Sequence, residues 1–217
     1  NIWANATGLR FDRSDGQQFQ AQIVFIDAGD GNMTTTVEAF CERWPETYPI
    51  MGFSAIKRRK NESPDIDEQS AGDIKRYRMA RIGTGGAWYY QISTNRYKQL
   101  IYNRINSIER RPIDPQKPGF IDFPRDYDKH YFDMLTAEVR LSDGSFDAGG
   151  RRNESLDTLV YAMCAADVYL DQRTQTLSEA LRKKTGRQYP PEDLKRMILQ
   201  RLSKNVGVEY PYGKQIT

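Results

Sequence analysis

The stretch Ala21-Gln-Ile-Val-Phe-Ile-Asp-Ala-Gly-Asp-Gly31 decides the fold of this 217-residue chain. Residues 23–26 form a short, continuous apolar run, which is typical of a strand buried on both faces of a sheet. Asp27 follows at the position where open α/β sheets place their ligands. A carboxylate buried there costs free energy unless a cation or a donor meets it. The same residue could instead turn the chain or cap the next helix, and this stretch alone leaves both interpretations open.

Composition excludes several classes of protein. Apolar residues make up 38% of the chain and charged residues 28%, with a net charge of +3. The chain is therefore expected to be soluble, and no apolar run approaches the roughly 20 residues that a membrane helix needs. No secretory signal pattern occurs at its start. The mildly basic charge is compatible with nucleic acid but does not demand it.

Cysteine and histidine usage narrows the chemistry. Cys41 and Cys164 lie far apart in apolar helical patterns, which indicates buried free thiols in a reducing cytoplasm. The single histidine, His130, gives poor support to a structural zinc site or to a serine or cysteine hydrolase. We therefore expect any chemistry to depend on carboxylates.

The periodicity predicts alternating strands and helices. A helix over residues 34–44 and a strand over residues 50–56 follow the first strand, so the two strands should be parallel. A hairpin is predicted from residues 77–82 and 88–92, and helices from residues 96–108, 128–141 and 154–170. A short strand over 120–123, a helix cap at Asn153 and two short helices between 177 and 202 complete the prediction.

A charged segment over residues 58–75 is expected to be a long loop. The basic cluster Lys57-Arg-Arg-Lys60 opens it. A solvated loop edge is favoured slightly over an edge that contacts phosphate.

Acidic residues recur on one face of the helix that starts at residue 154. Glu154, Asp157 and Tyr161 share that face. Acids in a first turn also complement the helix dipole, by about 0.3–1 kcal/mol, which explains Glu154 well and Asp157 less well. Divalent-metal nucleases hold their ions with a strand-end carboxylate and carboxylates on a late helix, and such oxygen ligands suit Mg²⁺ or Mn²⁺. Two such ions, about 3.5–4 Å apart, activate water and stabilise the leaving oxygen of a phosphodiester.

Four groups of short motifs follow one another along residues 15–170. They are Ile26-Asp-Ala-Gly29 with Val37-Glu-Ala-Phe40 and Ala55-Ile-Lys57; Ile92-Ser-Thr94 with Lys98 and Gln99-Leu-Ile-Tyr-Asn-Arg104; Gly119-Phe-Ile-Asp-Phe-Pro124 with Leu135-Thr-Ala-Glu138; and Arg151-Arg-Asn-Glu-Ser-Leu-Asp157 with Val160-Tyr-Ala162. In this order and spacing they resemble the nuclease domain of lambda-type (GpA) large terminase subunits of tailed bacteriophages, which belong to the RNase H-like, integrase superfamily.

The resemblance implies an α/β fold: an RNase H-like mixed sheet flanked by helices, with a helical C-terminal tail. Residues 1–171 would form the nuclease domain and residues 172–217 the tail. The family has an earlier strand that ends in its own acid, and residues 1–20 show no counterpart. Either the chain lacks that strand or Asp27 serves as the first acid.

The resemblance also implies a function, namely metal-dependent cutting of concatemeric double-stranded DNA during viral genome packaging. Asp27 and Asp157 carry over as catalytic metal ligands for Mg²⁺ or Mn²⁺, with Glu154 as a third. Four basic residues are expected to contact the DNA: Lys57, Lys98, Arg151 and Arg152. Glu138 matches the family too, but helix stabilisation explains it equally well.

The expected partners are double-stranded DNA, the terminase small subunit and the procapsid portal, in the host cytoplasm and without a membrane. No nucleotide-binding P-loop pattern occurs in the sequence. Two alternatives stay open: another RNase H-like recombinase, such as a transposase or resolvase, and a non-catalytic DNA- or portal-docking module with a decayed nuclease fold.

Overall fold

The computed structural model describes residues 10–12, 18–57, 74–81, 86–108, 121 and 123–206. Its strands are β1 (Arg10–Asp12), β2 (Gln18–Gln20), β3 (Val24–Asp27), β4 (Thr47–Phe53), β5 (Ile56–Lys57), β6 (Ile74–Lys75), β7 (Tyr77–Arg81), β8 (Trp88–Ser93), β9 (Val139–Arg140) and β10 (Phe146–Asp147). Its helices are α1 (Thr34–Arg43), α2 (Thr94–Ile108), α3 (Lys129–Leu135), α4 (Glu154–Thr185) and α5 (Pro191–Val206). Residues 58–73, most of the predicted charged loop, lie outside the described part, as do residues 120 and 122 of the predicted short strand.

A mixed sheet of four strands, in the order β3-β4-β8-β7, lies at the centre of the described fold. β3, β4 and β8 are parallel, and β7 runs antiparallel to β8. The predicted parallel pair and the predicted hairpin are therefore confirmed. The architecture is mixed α/β with five helices, consistent with an RNase H-like fold. None of the helices within the described ranges is long and apolar enough to span a bilayer.

β3 differs from the prediction of a strand buried on both faces. It is the end strand of the described sheet, its apolar residues are only half-buried, and Asp27 is exposed. An end strand has a sheet neighbour on one side only, so a continuous apolar run does not prove a central position. Asp27 consequently lies at an open edge of the sheet rather than in its interior.

One face of the sheet carries the main core. Alternate residues of the three parallel strands point to this face and pack with α2 and α4: Phe25, Tyr48, Ile50, Tyr90 and Ile92. Because side chains alternate along a strand, the residues two positions beyond Phe25 and Ile50 lie on the same face. Asp27 and Gly52 therefore emerge on the side where α4 packs.

α4 is the longest element, with 32 residues, and its buried stripe includes Leu156, Val160, Cys164 and Val168. The helix continues well past the predicted end near residue 170, since neither glycine nor proline occurs before Gly186. Gly186 ends it with a left-handed φ of 69°, a conformation that glycine adopts without steric cost. The division at residue 171 falls inside this helix and stays a prediction.

α3 ends earlier than the predicted helix of residues 128–141. Asp128 caps its start by accepting a hydrogen bond from the Tyr131 amide at 2.9 Å. At its end, the Thr136 hydroxyl bonds the Phe132 carbonyl at 2.8 Å. The following residues then pair as the hairpin β9–β10. Glu138 consequently lies between α3 and β9 rather than in a helix, and the helix-stabilising explanation for this residue is wrong.

Candidate metal centre

Asp27 stands at the carboxyl end of β3 with both of its oxygens bonded. The Gly29 amide donates to Oδ1 at 2.8 Å, and the Tyr161 hydroxyl donates to Oδ2 at 3.2 Å. The first bond turns the chain locally, and the second reaches α4. The bond to Gly29 confirms the turn-forming interpretation of this aspartate, and its role as a ligand stays a prediction.

Asp157 approaches from the first turn of α4. Its Oδ1 lies 3.3 Å from the Lys98 ammonium, and its Oδ2 accepts a hydrogen bond from the side-chain amide of Asn153 at 3.1 Å. Burial raises the pKa of Asp157 above its usual value despite the nearby ammonium, and the charges of Glu138 and Asp27 act in the same direction. The carboxylate of Asp157 thus lies within electrostatic reach of Asp27.

Tyr161 lies one helical turn beyond Asp157 and donates to Asp27. Burial raises the pKa of its hydroxyl, and the charges of Asp27 and Asp157 raise it further, so the hydroxyl stays protonated and can donate. Gly52 of β4 lies beside it: a Cβ atom there would make an ordinary 3.6 Å contact with the Tyr161 oxygen, but would lie only 2.8 Å from Thr94 Cγ2. The predicted pair of acids is therefore gathered at one edge of the sheet.

The polar side chains that contact Asp157 belong to a network that extends to Glu138. The Lys98 ammonium and the Asn153 amide both donate to Oε1 of Glu138, at 2.6 and 2.5 Å. Lys98 is 8% exposed and Glu138 6% exposed. Asn153 occupies the predicted cap position of α4, yet its side chain makes no capping bond, because it donates to Glu138 and Asp157 instead. The expected capping role of this side chain is corrected accordingly.

Glu138 is the residue of the candidate site whose position the sequence analysis did not predict. The motif Leu135-Thr-Ala-Glu138 contains this residue, but the predicted helix over residues 128–141 suggested a helix-stabilising role for it. It shares the Lys98 ammonium with Asp157, although 19 residues separate the two acids along the chain.

Glu154 lies at the exposed start of α4. The Arg152 guanidinium binds it at 3.0 Å. Hydrogen bonding to the backbone at the helix start lowers its pKa, and Arg152 lowers it further. The structure therefore pairs Glu154 with Arg152, while Asp157 pairs with Lys98.

The basic residues predicted to contact DNA occupy different settings. Arg151 donates to two backbone carbonyls, of Ala148 at 3.1 Å and of Ala137. Arg152 binds Glu154, and Lys98 is enclosed by acids. The backbone of Lys57 lies in β5, while its side chain is outside the described part. The DNA-binding role of these four residues stays a prediction.

The donor set suits a hard divalent cation. Within the described ranges, no three His, Cys, Asp or Glu side chains are arranged to hold a metal ion. Mg²⁺, however, keeps several waters and is usually bound through one or two carboxylates and substrate phosphates. The carboxylates of Asp27 and Asp157 fit that requirement.

These features define the class: a mixed α/β protein of RNase H-like type, with one aspartate at the end of β3 and a second in the first turn of α4, the helix whose Tyr161 donates to the first. The sequence model of the terminase large subunit gpA endonuclease domain matches residues 4–175. This chain belongs to that family.

Two further comparisons define the extent of the similarity. The chain is 33% identical over 108 residues to the terminase large subunit of Escherichia phage lambda. The match covers 44% of this chain and 16% of that protein, so the chain spans less than a fifth of its relative. No solved structure matches the chain at a significant level.

Proposed function

We propose that this chain is a divalent-metal-dependent endodeoxyribonuclease that cuts concatemeric double-stranded DNA during viral genome packaging. Membership of the gpA endonuclease family supports this function. The hydrogen bond from Tyr161 to Asp27, together with the position of Asp157 one helical turn before Tyr161 and within electrostatic reach of Asp27, is the observation that carries it. The terminase small subunit and the procapsid portal are its proposed partners, and the host cytoplasm its proposed location.

Asp27 and Asp157 are the proposed ligands for Mg²⁺ or Mn²⁺, and Glu154 is the third acid predicted from the sequence. Bound in a two-metal arrangement, these ions would supply an activated water and a stabilised leaving oxygen.

The neighbouring groups hold the acids ready. The Gly29 amide and the Tyr161 hydroxyl orient the two oxygens of Asp27. The side-chain amide of Asn153 does the same for Oδ2 of Asp157. Such partners fix a ligand's orientation before the ion arrives. Lys57, Arg151 and Arg152 are the proposed contacts to the DNA backbone.

A plasmid-nicking assay tests the function. Wild-type protein should nick supercoiled DNA with Mn²⁺ or Mg²⁺ and lose this activity with a chelator. Asp157→Asn should reduce the rate by roughly 100-fold or more, since loss of even a ligand's hydrogen-bond partner costs about 10–100-fold. Asp133→Asn is the matched control, because Asp133 is an exposed aspartate of α3 that pairs with Lys129.

Two outcomes would contradict the proposal. Cutting by Asp157→Asn at the wild-type rate would remove the assigned site. DNA binding without any metal-dependent cutting would favour the non-catalytic docking module instead.

A further inference from the structure

Lys98 is a buried cation whose role the proposed chemistry does not assign. It lies on α2, 8% exposed, with its ammonium 2.6 Å from Glu138 Oε1 and 3.3 Å from Asp157 Oδ1. The shorter contact is to the fully enclosed carboxylate, and the longer one is to the acid proposed to bind metal. Glu138 therefore holds Lys98 more closely than Asp157 does.

Glu138 has spare capacity to accept hydrogen bonds. Its Oε2 is buried and has no hydrogen-bond partner among the described residues. An ammonium carries three donors. A Lys98 that moves away from Asp157 consequently finds a second acceptor on the same Glu138 carboxylate.

The formal charges around the site are unbalanced. Among the described residues, Asp27, Asp157 and Glu138 are three carboxylates near one ammonium, that of Lys98. The resulting charge of −2 equals the deficit that one divalent cation would cancel. In the protein without metal, the Lys98 ammonium partly neutralises the Asp157 carboxylate, an interaction that a divalent cation would make more strongly.

We propose that Lys98 is a built-in cation that competes with divalent metal for Asp157, and that Glu138 is the positioning residue to which Lys98 withdraws when metal binds. This inference rests on the proposed metal site. It assigns opposite effects to two residues that bind each other: Lys98 opposes metal binding, and Glu138 favours it.

Mn²⁺ binding to the full chain, measured without DNA, tests this inference directly. Chelator-treated protein is titrated with Mn²⁺, and the free Mn²⁺ is measured by electron paramagnetic resonance. Lys98→Met should tighten binding by at least about tenfold, because it removes a charge in contact with the ligand. Glu138→Gln should weaken binding by at least about tenfold, because Lys98 is then left with Asp157 as its one acidic partner. The double variant keeps the net charge and should bind within about threefold of wild type.

Lys129→Met is the matched control. Lys129 makes an ion pair of the same 2.6 Å length with Asp133, but its side chain is 87% exposed. Its removal should leave Mn²⁺ affinity within about twofold of wild type, because solvent and salt screen it.

Weaker binding in both single variants, or no change in either, would overturn the inference and leave a purely structural ion pair. If a single variant fails to fold, the double variant decides, and a loss of more than about tenfold in it contradicts the inference. The proposed site itself is checked by Asp27→Ala. Mn²⁺ binding that survives this change contradicts the site, whereas binding that depends on Asp27 but ignores Lys98 contradicts this inference alone.

Discussion

At the residue scale, the Tyr161 hydroxyl connects α4 to the proposed ligand Asp27, one helical turn beyond the second proposed ligand, Asp157. It donates to Asp27 Oδ2 at 3.2 Å, and its raised pKa keeps it protonated at neutral pH. Tyr161→Phe removes this donor while keeping the ring, so nicking should slow by roughly tenfold while the melting temperature changes little. Tyr169→Phe is the control, because Tyr169 is a half-buried tyrosine of the same helix that packs on Arg173. Equal rates for Tyr161→Phe and wild type would show that the hydroxyl does not position Asp27.

Individual site residues differ in how far the sequence could predict them. Asp27 and Asp157 were accessible, because a strand-end acid and an acid on a late amphipathic helix are local patterns. Glu138 and the side-chain role of Asn153 were not, since both depend on where α3 stops and on a buried lysine from another helix. A pattern within one element cannot register a contact between three elements.

At the scale of elements, β4 and α2 approach each other at Gly52. A methyl group there would lie 2.8 Å from Thr94 Cγ2, closer than packed carbon atoms can come. Gly52→Ala should therefore lower the free energy of unfolding by about 1–3 kcal/mol, measured by urea denaturation. Adding Thr94→Ser removes the obstructing methyl group but keeps the hydroxyl that donates to the Phe53 carbonyl at 3.0 Å.

The double variant should recover most of that stability. No recovery in Gly52→Ala with Thr94→Ser would mean that glycine is needed at residue 52 for a reason other than the contact with α2. Full stability of the single variant would show that β4 and α2 adjust without cost.

Elements were predictable where a local signal sets them. The parallel pair β3–β4, the hairpin β7–β8 and the helix α2 all follow from periodicity. The half-buried end position of β3 was not accessible, because the order of strands depends on pairing between distant segments. The length of α4 could have been anticipated from the absence of glycine and proline before Gly186.

At the scale of the whole molecule, buried and half-buried tyrosines connect the sheet and α2 to α4. Tyr77 donates to Asp171 and Tyr97 to Asp167, at 2.9 Å in the second case, while Gln172 donates to Tyr90. Burial is the main cause that raises the pKa of all three hydroxyls, to about 12 for Tyr90. In the folded state these three hydroxyls therefore ionise at a higher pH than in the unfolded chain.

This difference predicts the response to alkali. A tyrosine whose pKa is higher in the folded state contributes its full stability below the unfolded value of 10.0, and loses it as the pH rises towards the folded value. The free energy of unfolding should therefore fall between pH 10 and about pH 12, and the last part of the rise in tyrosinate absorbance, from the buried tyrosines, should coincide with the loss of helical circular dichroism. Ionisation of all the tyrosines around pH 10, as in free tyrosine, while the helices stay intact would show that these hydroxyls are not buried.

The central claim is that Asp27 and Asp157 share one divalent ion, and the most direct measurement is anomalous diffraction from crystals soaked in Mn²⁺. The account predicts an anomalous peak within about 2.0–2.6 Å of a carboxylate oxygen of each residue. A peak held by other side chains, or two aspartates that face apart in the soaked crystal, would contradict it.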